Sequence, residues 1–135
     1  MVNHIYTVEF TILGPQLQPD LITQELGLQP CQIRTRVQRF PGRNEESLWA
    51  YNGTDSSSLE WETLEEGLDF VLTRLWPHLP VIERYRATYQ SIWWCGHFQS
   101  SFDGGPQLSA NILRRLADFG TDVFIDTHFC EANHL

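Results

Sequence analysis

The four residues GPQL at Gly14–Leu17 return unchanged at Gly105–Leu108, and each copy joins a strand-like run to a helix-like run. Before the first copy, Tyr6, Val8, Phe10 and Ile12 form an apolar set that alternates with Ile5, Thr7, Glu9 and Thr11. Period-2 alternation of this kind makes a strand with one face on a core. Before the second copy, the run Tyr89–Ser100 carries Trp93 and Trp94 side by side, so both faces bear bulk, as in a central strand. After the first copy, Pro19 opens a helix with Asp20 in its first turn, Leu21, Ile22 and Leu26 as its apolar face and Gly27 as its cap. After the second, Ser109 caps a helix carrying Ile112, Leu113, Leu116 and Phe119, which Gly120 ends before a last alternating strand, Thr121–Cys130. Aligned on GPQL, the two units coincide without a gap to the middle of the helix.

Between the units, alternation around Ile33, Thr35 and Val37 and a Pro41-Gly42 turn predict a hairpin that returns through Leu48–Tyr51. Next, Ser57 and Glu60 stand at capping-box spacing ahead of a long helix with an apolar stripe of Trp61, Leu64, Leu68, Val71, Leu72 and Leu75. Pro77 ends or kinks that helix, and Val81, Ile82 and Tyr85 predict a short helical continuation. The order predicts a single α+β domain over residues 1–135. Its expected sheet is mostly antiparallel with helices on one face, ferredoxin-like, with the long helix inserted between the two strand-loop-helix units.

Composition narrows the function classes. No run approaches 18 apolar residues, so no membrane span is expected. The start, MVNHIYTVEF, lacks the pattern of a secretory signal, which reads as cytoplasmic. Cys31, Cys95 and Cys130 are odd in number and lack CxxC spacing, against a disulfide framework or structural zinc. Net charge is −8, and all nine basic residues are arginine. That balance disfavours nucleic acid, whose nonspecific binding needs many cations against phosphates. It favours steering toward a basic partner.

Few constellations suit catalysis. Cys95 and His97 share a strand face, but a cysteine nucleophile also needs a base in hydrogen-bond reach and a third, orienting group. Packing of both in the core is the simpler reading. Asp126 and His128 share a face of the last strand, with His97 as a conceivable third metal ligand, yet no metal-binding motif accompanies them. No phosphate-cradling GxGxxG or GxxxxGK[ST] and no GxSxG appears. No cofactor, metal or catalytic residue is therefore assigned. Two charged stretches stand out instead. Glu62, Glu66 and Asp69 fall at helical spacing on one acidic face, which reads as a solvated surface or as a docking site for a basic protein. Arg34, Arg36, Arg39 and Arg43 crowd the hairpin, to pair with the chain's own acids or to hold an anionic group.

The segments Leu26-Gly27-Leu28-Gln29-Pro30, Trp49, Leu108-Ser109, Leu116-Ala117, Gly120 and Ile125-Asp126 resemble those of small bacterial proteins of the domain of unknown function 4279 family. The likeness runs over nearly the whole chain. It departs at Cys31, where a Thr often follows the Pro, and in the arginine-rich hairpin. It implies the fold and no catalytic residue, and immunity to a toxin is among the roles such small proteins fit.

The resulting expectation is a non-enzymatic cytoplasmic module that binds another protein, immunity-type or adaptor, using Glu62, Glu66, Asp69, Arg34, Arg36 and Trp49. The alternative is a small-ligand or enzymatic domain with a site near the Arg34–Arg43 hairpin, drawing on Trp49 with Cys95 or His97. A homodimer through exposed sheet edges is a third possibility.

Overall fold

The computed structural model describes residues 2–37 and 46–131. Its elements in chain order are β1 (His4–Gly14), α1 (Pro19–Leu26), β2 (Gln32–Val37), β3 (Glu46–Tyr51) and α2 (Leu64–Leu75). A 3-10 turn (Trp76–His78) leads into α3 (Leu79–Arg86), β4 (Gln90–Gln99), α4 (Ala110–Phe119) and β5 (Asp122–Phe129). The Pro41-Gly42 turn, Arg39, Arg43 and the side chain of Arg36 lie outside the described residues.

The five strands form one mixed sheet in the order β2-β3-β1-β4-β5. The pairs β2–β3, β3–β1 and β1–β4 are antiparallel, whereas β4–β5 is parallel, which narrows the expectation of a mostly antiparallel sheet. The parallel pair follows from connectivity. A strand that returns through a helix lies parallel to its start, because the crossover carries the chain back across the sheet. In the C-terminal unit β5 lies directly against β4, while in the N-terminal unit β3 stands between β1 and β2.

Alternation in β1 sends Tyr6, Val8, Phe10 and Ile12 into the core. They meet Ile22 and Leu26 of α1, Leu64, Leu68, Val71, Leu72 and Leu75 of α2, Ile82 and Tyr85 of α3, and Ile112, Leu116 and Phe119 of α4. All four α-helices thus bury their apolar faces in one core, on one side of the sheet. Leu21 and Leu113, expected on those faces, are instead exposed, one position off the buried stripe. At α1, Pro19 starts the helix and Gly27 ends it with a left-handed φ of 67°, its N–H reaching the Thr23 carbonyl at 2.8 Å. At α4, the Ser109 hydroxyl accepts from Ile112 N–H at 3.2 Å, as its cap position predicts.

The start of α2 is a correction. Thr63, not Ser57, is the cap, its hydroxyl accepting from Glu66 N–H at 3.2 Å. Trp61 precedes the helix and pairs with Tyr6 of β1 through two backbone hydrogen bonds of 2.8 Å. It extends the sheet where β3 leaves off, since β3 pairs only with Phe10–Gly14. Nor is α2 an insertion. With α3 it is the crossover from β3 to β4, and it supplies much of the fully buried core.

The two GPQL segments occupy equivalent places in the chain with different backbones. In the first, Gln16 takes the left-handed φ of 64° and Gly14 does not; in the second, Gly105 lies at φ 149°. The repeated letters mark two strand-to-helix joints and do not repeat a conformation.

Candidate functional site on the helix-free sheet face

Among the described residues no helix covers the side of the sheet opposite the core, and that side carries a depression of about 300 Å³. Strand register builds its floor in three cross-strand rows. Arg34, Leu48, Leu13 and Gln90 form one row, and Gln32, Ala50, Thr11 and Ile92 the next. Glu9 against Trp94 forms the third. Every one of these side chains but Ala50 lines the depression, and the alternate side chains of β1, β3 and β4 supply the core on the other side.

Glu9 is the chemically unusual member. Burial pushes its carboxyl above the usual carboxylate range, offset in part by a hydrogen bond from Cys31 and by the Arg34 charge. The Cys31 thiol lies 3.7 Å from Glu9 Oε1 and 3.5 Å from the Ala50 carbonyl oxygen. Burial first, and then the Glu9 charge, push that thiol up to about 12. Cys31 is thus a protonated donor to Glu9 at neutral pH and no thiolate nucleophile. Arg34 is exposed and is held by Gln32, whose amide oxygen faces the guanidinium at 2.7 Å from Nε and 2.8 Å from Nη2. The anionic and cationic groups of the depression act on each other through space without forming a direct ion pair.

The other anticipated residues are spread over the molecule. Trp49 is fully buried on the core side, its indole N–H donating to Thr23 Oγ1 at 3.1 Å, so it holds α1 to β3 and does not reach the depression. Arg36 falls in a stretch of β2 where the register shifts between Arg34 and Val37, so simple alternation does not set its face. Glu62 precedes the cap of α2, while Glu66 and Asp69 are exposed on the helix itself. Asp69 pairs with Arg115 of α4, whose other nitrogen donates to Thr73 Oγ1 at 3.1 Å. Glu65 accepts from Ser109 N–H at 2.6 Å and from its hydroxyl at 3.1 Å. Part of the acidic run therefore ties α2 to α4.

Cys95 and His97 both face the core. His97 stacks between His4 and Tyr6 at ring separations of 5.2 and 4.7 Å. A hydrogen-bonded chain runs from Thr127 Oγ1 to His97 Nδ1 at 3.2 Å, from His97 Nε2 to His4 Nδ1 at 2.9 Å, and from His4 Nε2 to the Asp103 carbonyl at 2.7 Å. A carbonyl only accepts, so His4 donates to it from Nε2; with both rings neutral, His97 then donates from Nε2 to His4 Nδ1 and accepts from Thr127 at Nδ1. This chain anchors the loop after β4. Asp126 and His128 lie 3.1 Å apart on the opposite face from His97, so the three do not converge.

The two unusual groups give stability opposite pH dependences. Glu9 is raised from 4.5, so its contribution is full below that pH and is lost as pH rises through the folded value. His97 is lowered from 6.5 by burial and by His4, so its contribution is full above 6.5 and is lost as pH falls through the lowered value. Glu9→Gln is expected to raise the denaturation midpoint at pH 7, and the gain is expected to vanish near pH ~4, where both side chains are neutral. Urea titrations at the two pH values check this.

Glu9, Gln32 and Trp94 are not among the site residues expected from the sequence. Glu9 is the one acid in the outward set of β1, but only the pairing of β1 with β4 places it against Trp94. No curated protein and no solved structure matches the chain. A family model described as a domain of unknown function (DUF4279) matches residues 4–130, nearly the whole chain, and the chain belongs to that family.

Proposed function

We propose that this chain is a non-enzymatic protein-binding module, of adaptor or immunity type, that receives a segment of its partner against the helix-free sheet face. The observation that carries the reading is Glu9, a half-buried carboxylate at the floor of a depression whose rim holds an oriented arginine. An ionised group kept at a cost to stability is the kind of local conflict that marks working surfaces. Around it, Leu13, Leu48, Ile92 and Trp94 offer apolar area. A partner segment with a cationic side chain for Glu9 and an acceptor for Arg34 matches this floor. A net charge of −8 steers a basic partner toward the protein at long range.

Topology supports the same face. We read β1–β4, in the order β2-β3-β1-β4, as a ferredoxin-like unit whose sheet is covered by helices on one side only. RNA-binding sheets of this kind need a basic, aromatic face, which the acidic balance here disfavours. A small ligand in the same depression is the second reading, favoured by a volume of about 300 Å³ at the lower end of such sites.

Selection from a displayed random-peptide library tests the proposal. Enriched peptides are expected to carry Arg or Lys, and Glu9→Gln or Arg34→Ala is expected to weaken them by about tenfold or more. The triple variant Glu62→Gln, Glu66→Gln, Asp69→Asn is expected to bind unchanged. Loss of binding in the triple variant alone would move the site to the acidic helix, and no enrichment at all would overturn the proposal.

A further inference from the structure

The two edges of the sheet are protected to different degrees. Edge strands expose unpaired backbone groups, and proteins guard them with bulges, prolines and charges, above all cationic ones. The β2 edge has a register irregularity and carries Arg34 and Arg36. The β5 edge has no such irregularity, and its charged residues are the acids Asp122 and Asp126. Its pairing to β4 runs without interruption from Asp122 to Phe129, and it contains no proline, lysine or arginine. It also leaves apolar area in water, with Val123 37%, Phe124 42% and Phe129 54% exposed. Phe102, 83% exposed, stacks on Phe129 at 4.6 Å and adds apolar area at that end of the strand.

We infer that two copies of this chain associate by antiparallel pairing of their β5 strands, giving one continuous ten-stranded sheet. One register pairs the strand with its own copy without opposing like charges. With the two-fold axis at Ile125, Asp122 faces His128 of the partner subunit and Phe124 faces Asp126 of the partner subunit. An axis at Asp126 sets that acid against its own copy, and an axis at Phe124 sets Asp122 against Asp126 of the partner subunit. Like charges directly opposite each other disfavour both. A closed, isologous pair uses the same strand twice and leaves no β5 edge open to further growth. Because the axis stands perpendicular to the sheet, both helix-free faces end on the same side. The inference stands on the edge alone and does not depend on what the depression binds.

Sedimentation velocity of the full chain at tens to hundreds of micromolar tests it. The expected mass is twice the 15.7 kDa of one chain. Moderate salt is expected to strengthen the pair by screening its net negative charge. Phe124→Asp sets an acid against Asp126 of the partner subunit and is expected to weaken association at least about tenfold. Phe124→Arg loses the same ring but offers that acid a cation, and is expected to remain dimeric. Circular dichroism confirms that both variants fold. A monomeric wild type would overturn the inference, and so would equal behaviour of the two variants.

Discussion

Trp93→Ala is expected to lower the free energy of unfolding by about 3–5 kcal/mol, a large share of what holds a domain of this size together. Trp93 is fully buried, and its ring meets Phe10 at 5.3 Å and Phe119 at 5.4 Å, so it joins β4 to β1 and α4. Removing it opens a cavity whose lining cannot collapse without moving three elements. Trp49 is just as buried, and Trp49→Ala is expected to cost a similar amount. The gentler change to phenylalanine separates the two. Trp49 Nε1 donates to Thr23 Oγ1, so Trp49→Phe loses ring volume and also strips that hydroxyl of a donor. Trp93 Nε1 is buried without a hydrogen-bond partner among the described residues, so Trp93→Phe removes an unsatisfied donor together with the ring. A buried polar group left unpaired costs about 1–3 kcal/mol. Trp49→Phe is therefore expected to be the more destabilising by about that amount. Urea midpoints of the two variants decide it, and equal costs would mean that the Thr23 bond contributes nothing net.

That asymmetry shows where sequence reading works and where it stops. Trp93 and Trp94 announce a strand with bulk on both faces, and the structure splits them as alternation requires, Trp93 to the core and Trp94 to the open face. The apolar sets of β1 and α4, with the Ser109 and Gly120 caps, were legible because local periodicity and capping chemistry decide them. The start of α2 was not. Ser57–Glu60 and Thr63–Glu66 have the same capping spacing, and the choice falls to Thr63 because Trp61 is drawn into backbone pairing with Tyr6, more than fifty residues away. The mixed character of the sheet was hidden for a related reason, since a list of strands does not give their order. The depression was hidden more deeply still. Its polar members come from β1, β2 and β4, and what makes them a site is register across strands that share no local signal. The charged clusters, which a sequence displays openly, turned out to include helix-to-helix ties such as Asp69 with Arg115.

Gly67→Ala is expected to destabilise the protein by about 1–2 kcal/mol, against the usual gain of about 1 kcal/mol when alanine replaces glycine inside a helix. Gly67 is buried in α2 where the helix crosses β1. A Cβ there would lie 2.7 Å from Val8 Cγ2 and 2.7 Å from Trp61 Cδ1. Val8 is itself buried, on a stretch of β1 held by its pairing with Cys95 of β4 and by the neighbouring Tyr6–Trp61 bridge, so it has little room to withdraw. The Trp61 backbone is held in the bridge to Tyr6 and its indole lies against Phe70 at 5.0 Å, so the ring has little room to swing away unless the bridge opens. The added methyl must then push α2 off the sheet or break the bridge, and either costs more than helix propensity returns. Gly67→Val, with two further methyls and a poorer helix former, is expected to cost about 3 kcal/mol or more. Val8→Ala in the Gly67→Ala background removes one of the two clashing atoms. The double-mutant cycle is therefore expected to show a favourable coupling of about 1 kcal/mol, as neighbours in contact do. A Gly67→Ala protein more stable than the wild type would mean that α2 rides farther from β1 than this close approach requires.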